Sequence, residues 1–174
     1  EIEAALAFGT GHHGTTQGCL AAIADAARLG KPQRVLDIGT GTGVLGIAAA
    51  HLFHTHVVAS DIDVVAVRTA RANAVANRAG PLVSFIHAGG ADALSIRNGG
   101  PYNLILANIL LPPLKRLARP LASLLAPGGT IVLSGLLVSQ IPAALAAYRT
   151  QGLRLVRQRH IEGWATLTLQ RHRD

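Results

Sequence analysis

Residues 35–43 read VLDIGTGTG, and the apolar run VLGIAAA follows at 44–50. A short strand running into glycines 39, 41 and 43 and then into a helix is the turn that lets a backbone approach a nucleoside closely. Eighteen residues beyond Gly43 the chain reaches an acidic pair, Asp61 and Asp63. A carboxylate at the end of the next strand can accept hydrogen bonds from both hydroxyls of a ribose.

Outward from this turn the elements alternate. Residues 15–29 predict a helix, with Thr15 or Thr16 as its cap and Gly30 as its stop. Strands are predicted at 34–38, 56–60, 82–87, 102–107 and 130–134. The intervening helices run to about His51, from 64 to 79, from Pro113 to Leu125, and from 139 to 151. Two strands close the chain, 153–159 and 164–170, joined by the short turn His160–Gly163. Alternation of this kind implies an α/β fold with a doubly wound, mostly parallel, Rossmann-like sheet of seven strands. The last two strands are too close for a crossover, so the terminal strand is reversed.

The 174 residues fit one domain, with 49% hydrophobic and 14% charged residues. A single cysteine, Cys19, excludes a disulfide framework and a cysteine-based zinc site. No uninterrupted apolar run reaches 18 residues and no signal-peptide pattern is seen, so a soluble, cytoplasmic protein without membrane contact is expected. The chain has no methionine, which suggests a processed chain or a fragment. Residues 1–92 hold six Lys/Arg against seven Asp/Glu, whereas residues 93–173 hold ten against one. That basic half is either a compositional bias towards arginine or a face for RNA. Six aromatic residues are too few for a base-stacking platform.

GTGVLG at 41–46 matches the dinucleotide fingerprint G-x-G-x-x-G, which would suit a nicotinamide cofactor. Asp37 argues against it: a carboxylate just before the glycines would repel a pyrophosphate at the helix N-terminus. The reversed terminal hairpin also departs from nicotinamide domains. S-adenosyl-L-methionine, with ribose hydroxyls, a sulfonium and no phosphate, fits the available groups better.

The chain resembles class I S-adenosylmethionine-dependent methyltransferases. More narrowly, it resembles the catalytic domain of the family that methylates protein eleven of the large ribosomal subunit (PrmA-type). AFGTGHHGTT at 7–16, VLDIGTGTGVLGIAA at 35–49, ASDID at 59–63 and LANIL at 106–110 carry the likeness, with APGGTIVLSGLL at 126–137 in agreement. The resemblance implies the class I methyltransferase fold over residues 1–174, without the substrate-recruiting N-terminal domain of the family. It implies cofactor contacts at Thr16, Gly39, Asp61 and Asn108, with Asp37 and Gly41 as neighbours in the same pocket. Asp92 is placed where this superfamily often contacts adenine, or is a turn-forming acid. Asp63 fits a helix cap better than a ribose ligand. The expected partner is a ribosomal protein. One departure is Gly14, where many members have proline, which should loosen the loop.

Transfer from a sulfonium needs mainly positioning, because the leaving group is already activated. An acceptor amine must arrive neutral, and Asn108 could aim its carbonyl at an amine hydrogen without adding charge. Asn108 is the expected catalytic residue. His12 and His13 are loop histidines, proton acceptors or, least fittingly, metal ligands, since adjacent side chains rarely converge on one ion; no metal is expected. Phe8 packs on the cofactor or anchors the loop, Cys19 belongs to the core, and Trp164 is read as packing. Three other readings stay open: an RNA or small-molecule acceptor, a nicotinamide-dependent reductase, and a cofactor-binding module without activity.

Overall fold

The computed structural model describes residues 14–172. Seven strands form one sheet in the order β3-β2-β1-β4-β5-β7-β6. They are β1 (Val35–Ile38), β2 (Val57–Asp61), β3 (Val83–His87), β4 (Tyr102–Asn108), β5 (Leu125–Leu137), β6 (Leu153–Ile161) and β7 (Trp164–Arg171). The first five are mutually parallel, and β7 runs antiparallel to both β5 and β6. The reversed strand is therefore inserted between β5 and β6, which leaves β6 at the sheet edge.

Alternation along the strands sorts the core into two layers. Leu36, Ile105, Ile131, Leu133, Leu167 and Leu169 face one side. Helices α4 (Leu94–Gly99), α5 (Leu111–Arg116), α6 (Ala118–Leu124) and α7 (Ile141–Arg149) cover that side with Ile96, Leu114, Leu121 and Tyr148. Val35, Val57, Ala59, Leu104, Leu106 and Val132 face the other, beneath α1 (Gly14–Leu29), α2 (Val44–Phe53) and α3 (Val64–Ala76). The Tyr148 hydroxyl, buried among apolar groups, donates to the Leu114 carbonyl at 2.9 Å and so joins α7 to α5. Among the described residues no helix is long and apolar enough to cross a membrane.

Several expectations shift in detail. Helix α1 already includes Gly14, so Thr15 and Thr16 lie in its first turn rather than capping it. The stretch from Pro113 to Leu125 is two helices, beginning at Leu111 and broken around Leu117. The strand expected at 130–134 starts earlier, at Leu125, with an irregular stretch where the pairing with β4 jumps from Tyr102↔Leu125 to Leu104↔Thr130. Helix α4 was not foreseen: its six residues carry too little periodicity to stand out.

Helix α1 is fastened by close packing and by charge. A Cβ placed on Gly18 would lie 2.9 Å from the Thr166 Cβ, so only glycine lets α1 sit this close to β7. Farther along, Arg159 donates to the Asp25 carboxylate, with Arg157 at 3.3 Å and Arg28 at 3.4 Å. The hydrogen bond from Arg159, with these neighbouring cations, holds the Asp25 carboxyl below the usual carboxylate range. Two arginines of the basic half thus serve to bind β6 to α1. Gly18→Ala is expected to destabilise the chain by about 2 kcal/mol through overpacking, measurable as a lower urea midpoint with an unchanged m-value.

Candidate functional site

The chain leaves β1 towards β2 and returns to β4 on the other side, so a crevice opens where the connections diverge. A cleft of about 610 Å³ occupies that position, at the C-terminal ends of the central strands. This volume suits a small organic ligand.

One wall is the β1–α2 turn. Gly39, Gly41 and Gly43 all have positive φ (69°, 56° and 84°), which other residues adopt only with strain. The Gly39 and Thr40 amides both donate to the Ser60 carbonyl, at 2.8 and 2.9 Å, which ties the turn to β2. From α3, Asn73 Nδ2 donates to the Thr42 carbonyl at 2.9 Å. A side chain is excluded at Gly39, where a Cβ would collide with Ile109 Cγ2.

Asp37 lies beneath the turn. It is fully buried and does not line the cleft. Its Oδ2 accepts from the Thr40 hydroxyl at 2.6 Å and from the Gly46 amide at 3.0 Å, while Oδ1 has no partner among the described residues. Gly43, the residue before α2, offers no side-chain cap, so Asp37 takes that role from below. Burial raises the Asp37 carboxyl to about 6; the Thr40 and Gly46 hydrogen bonds oppose the rise and the Asp61 charge adds to it. The expectation of Asp37 as a pocket neighbour of Gly41 is therefore corrected: Gly41 lines the cleft, and Asp37 supports it from behind.

Asp61 lines the cleft at the end of β2. Its Oδ2 accepts from the Gly41 amide at 2.9 Å and its Oδ1 from the Asp63 amide at 3.0 Å. Each oxygen keeps a lone pair for a ligand, in a side chain already oriented. Asp63 caps α3, accepting from the Val65 amide at 2.8 Å, as its position after β2 suggested.

Across the cleft, Thr16 is fully buried and its hydroxyl has no partner among the described residues. An orphaned buried hydroxyl on a cleft wall marks a place where a ligand would satisfy it. Asn108, at the end of β4, also lines the cleft, and its Nδ2 donates to Thr15 Oγ1 at 3.3 Å. Asp92 is exposed and off the wall: its neighbours Gly89 and Gly90 line the cleft instead. Cys19 is a core residue, its thiol pushed up to about 12 by burial and so unreactive. Phe8, His12 and His13 lie outside the described residues. Among the described residues no group of three or more His, Cys, Asp or Glu could hold a metal.

The sequence reading missed Gly135, Arg116 and, as a site residue, Trp164, all of which line the cleft. Gly135 carried a detectable signal, a glycine inside an apolar strand. Its φ is +79°, and a Cβ there would lie 2.9 Å from the Ile109 carbonyl carbon. Trp164 and Arg116 carried none, because only the tertiary arrangement brings the start of β7 and the end of α5 to this crevice.

The strand order with β7 reversed is the fold of class I methyltransferases. Precorrin-6y C5,15-methyltransferase from Geobacter metallireducens shares it at TM-score 0.76, with 16% identity, over 91% of this chain and 89% of that one. The family profile "Ribosomal protein L11 methyltransferase (PrmA)" matches residues 1–172, and the chain belongs to that family. A relative from Bradyrhizobium diazoefficiens, named ribosomal protein L11 methyltransferase, is 53% identical over 98% of this chain. The chain spans only 58% of that relative's length. The crystal structure of ribosomal protein L11 methylase from Lactobacillus delbrueckii subsp. bulgaricus matches at TM-score 0.88 and 30% identity, over 98% of this chain and 84% of that one.

Because the Asp37 carboxyl is raised from 3.8 to about 6 on folding, the folded state holds its proton more tightly than the unfolded chain. Its contribution is most favourable below pH 4, is lost as pH rises towards 6, and amounts to about 3 kcal/mol. Asp37→Asn removes this pH dependence while its carbonyl can still accept from Thr40 and Gly46. The stability of the variant relative to the native chain should therefore rise by roughly 2 kcal/mol between pH 4 and pH 7, measured by urea unfolding at both. A difference that stays constant would show Asp37 to be ionised throughout.

Proposed function

We propose that this chain transfers a methyl group from S-adenosyl-L-methionine to nitrogen on a ribosomal protein, ribosomal protein L11 being the acceptor named for its relatives. What supports the reading is that Thr16, Gly39, Asp61 and Asn108, distant in sequence, all line one cleft. The residues present fit that cofactor. The orphaned Thr16 hydroxyl awaits a polar partner, Gly39 leaves the turn bare, and the unused lone pairs of Asp61 suit ribose hydroxyls. Asp61 and Asp63 also give this wall a negative charge, which suits a cation and disfavours a dinucleotide phosphate. S-adenosylmethionine, when bound, supplies a methyl group activated by its sulfonium.

The protein's own contribution is placement. Asn108 offers an uncharged carbonyl to an amine hydrogen, and Ile109, Leu110 and Trp164 make the surrounding wall apolar. Desolvation there favours the neutral amine over the ammonium form, whose ordinary pKa of about 10.4 would leave it without a lone pair. A protein acceptor is favoured over RNA because four of the ten cations of the basic half bond within the fold. Arg154 donates to Gln170, Arg157 and Arg159 meet Asp25, and Arg171 donates to the Ala122 and Leu125 carbonyls. A ribosomal-protein acceptor also goes with a cytoplasmic location.

Calorimetry with S-adenosylhomocysteine should show one site, weakened at least about tenfold by Asp61→Ala through loss of charge-assisted hydrogen bonds. With tritiated methyl donor, label should enter ribosomal protein L11 rather than RNA, and Asn108→Ala should cut the rate by about a hundredfold. Absence of binding by the native chain would overturn the cofactor reading, and label in RNA alone would overturn the acceptor.

A further inference from the structure

Asn108 owes its position to β4, but the orientation of its amide is set elsewhere. The side chain lies on the strand face of Leu104 and Leu106, the face covered by α1. The terminal torsion of asparagine is a broad two-fold rotor, so a half-turn exchanges its carbonyl with its NH2 group. Only one of these two orientations offers a hydrogen-bond acceptor to an incoming amine. The other presents two N–H donors, which cannot accept an amine hydrogen.

The Asn108 NH2 group donates to Thr15 Oγ1 at 3.3 Å, which turns that group towards α1 and leaves the carbonyl as the acceptor. Thr15 is buried and does not line the cleft, so a bound ligand need not touch it. It is also held in place. The Ser134 hydroxyl is shared between the Thr15 carbonyl at 3.2 Å and the Ala165 carbonyl at 3.3 Å, and lies 3.0 Å from Thr166 Oγ1. Groups from β5 and β7 thus hold the first turn of α1 where its hydroxyl meets Asn108. Gly14 fixes the same turn: a Cβ there would lie 2.7 Å from the Ile161 carbonyl oxygen.

We propose that Thr15 is a positioning residue that sets the orientation of the Asn108 amide, so that its carbonyl rather than its NH2 group serves the acceptor. The proposal rests on the methyl-transfer reading above for its effect on rate, but not for the orientation itself. The hydroxyl-free variants Thr15→Val and Thr15→Ala are compared with Thr15→Ser in two measurements. In the first, kcat for ribosomal protein L11 should fall about tenfold in the hydroxyl-free variants. The KM for S-adenosylmethionine should stay within about twofold, and Thr15→Ser should restore kcat.

The second measurement needs no turnover. The Asn108 side-chain NH2 signal in a 15N spectrum, assigned by its loss in Asn108→Ala, should show a hydrogen-bonded proton in the native chain and in Thr15→Ser. That proton should move upfield in Thr15→Val and Thr15→Ala. An unchanged Asn108 signal in both hydroxyl-free variants would overturn the proposal, as would an equal fall of kcat in Thr15→Ser. If the signal shifts as expected but the native chain methylates nothing, the orienting role stands and the methyl-transfer reading fails.

Discussion

The carboxylate of Asp37, sealed under the β1–α2 turn, is the constraint on which the site depends. Three of the five residues of the turn are glycines at positive φ, so few side chains are there to stiffen it. Asp37 supplies the missing stiffness from below, binding Thr40 within the turn and the Gly46 amide in the first turn of α2. The positive end of the helix favours such an acceptor. Its burial works in the opposite direction, raising the carboxyl to about 6, with one oxygen unpartnered among the described residues. The turn is therefore held in shape at some expense of stability, as expected of a binding site.

With the turn fixed, the acidic wall follows from local geometry. The Gly41 amide and the Asp63 amide both point at Asp61, so its carboxylate is oriented by backbone alone. Asp63 in turn starts α3, and Asn73 on that helix reaches back to the turn. Three consecutive elements thereby brace one another over fewer than forty residues. Short-range bonding of this kind explains why the first wall is so plainly marked in the sequence.

The opposite wall is built differently. Thr15 on α1, Asn108 on β4, Ser134 on β5 and Thr166 on β7 form a polar seam between the helix and the sheet, and Thr16 beside it faces the cleft. Gly18 allows the approach, and Asp25 with its arginines holds the far end of α1 against β6. The reversed strand matters here. Only by lying between β5 and β6 does β7 bring Thr166 under α1 and Trp164 to the cleft.

The sequence by itself determined the order of elements, the glycine turn, the helix-capping Asp63 and the acid at the end of β2. Each depends on backbone preferences or contacts among near neighbours, which leave periodicities and residue types in fixed places. The reversal of the last strand was legible too, because a four-residue connection permits no crossover. Tertiary structure alone decided which polar groups face the cleft and which support it. It put Asp37 behind the turn and Asp92 off the wall, brought in Gly135, Arg116 and Trp164, and joined Thr15 to Asn108 across 93 positions. Those outcomes depend on strand order and on the face each side chain takes. Neither is encoded by local spacing, because both are settled only when distant strands pair and bury their apolar sides together.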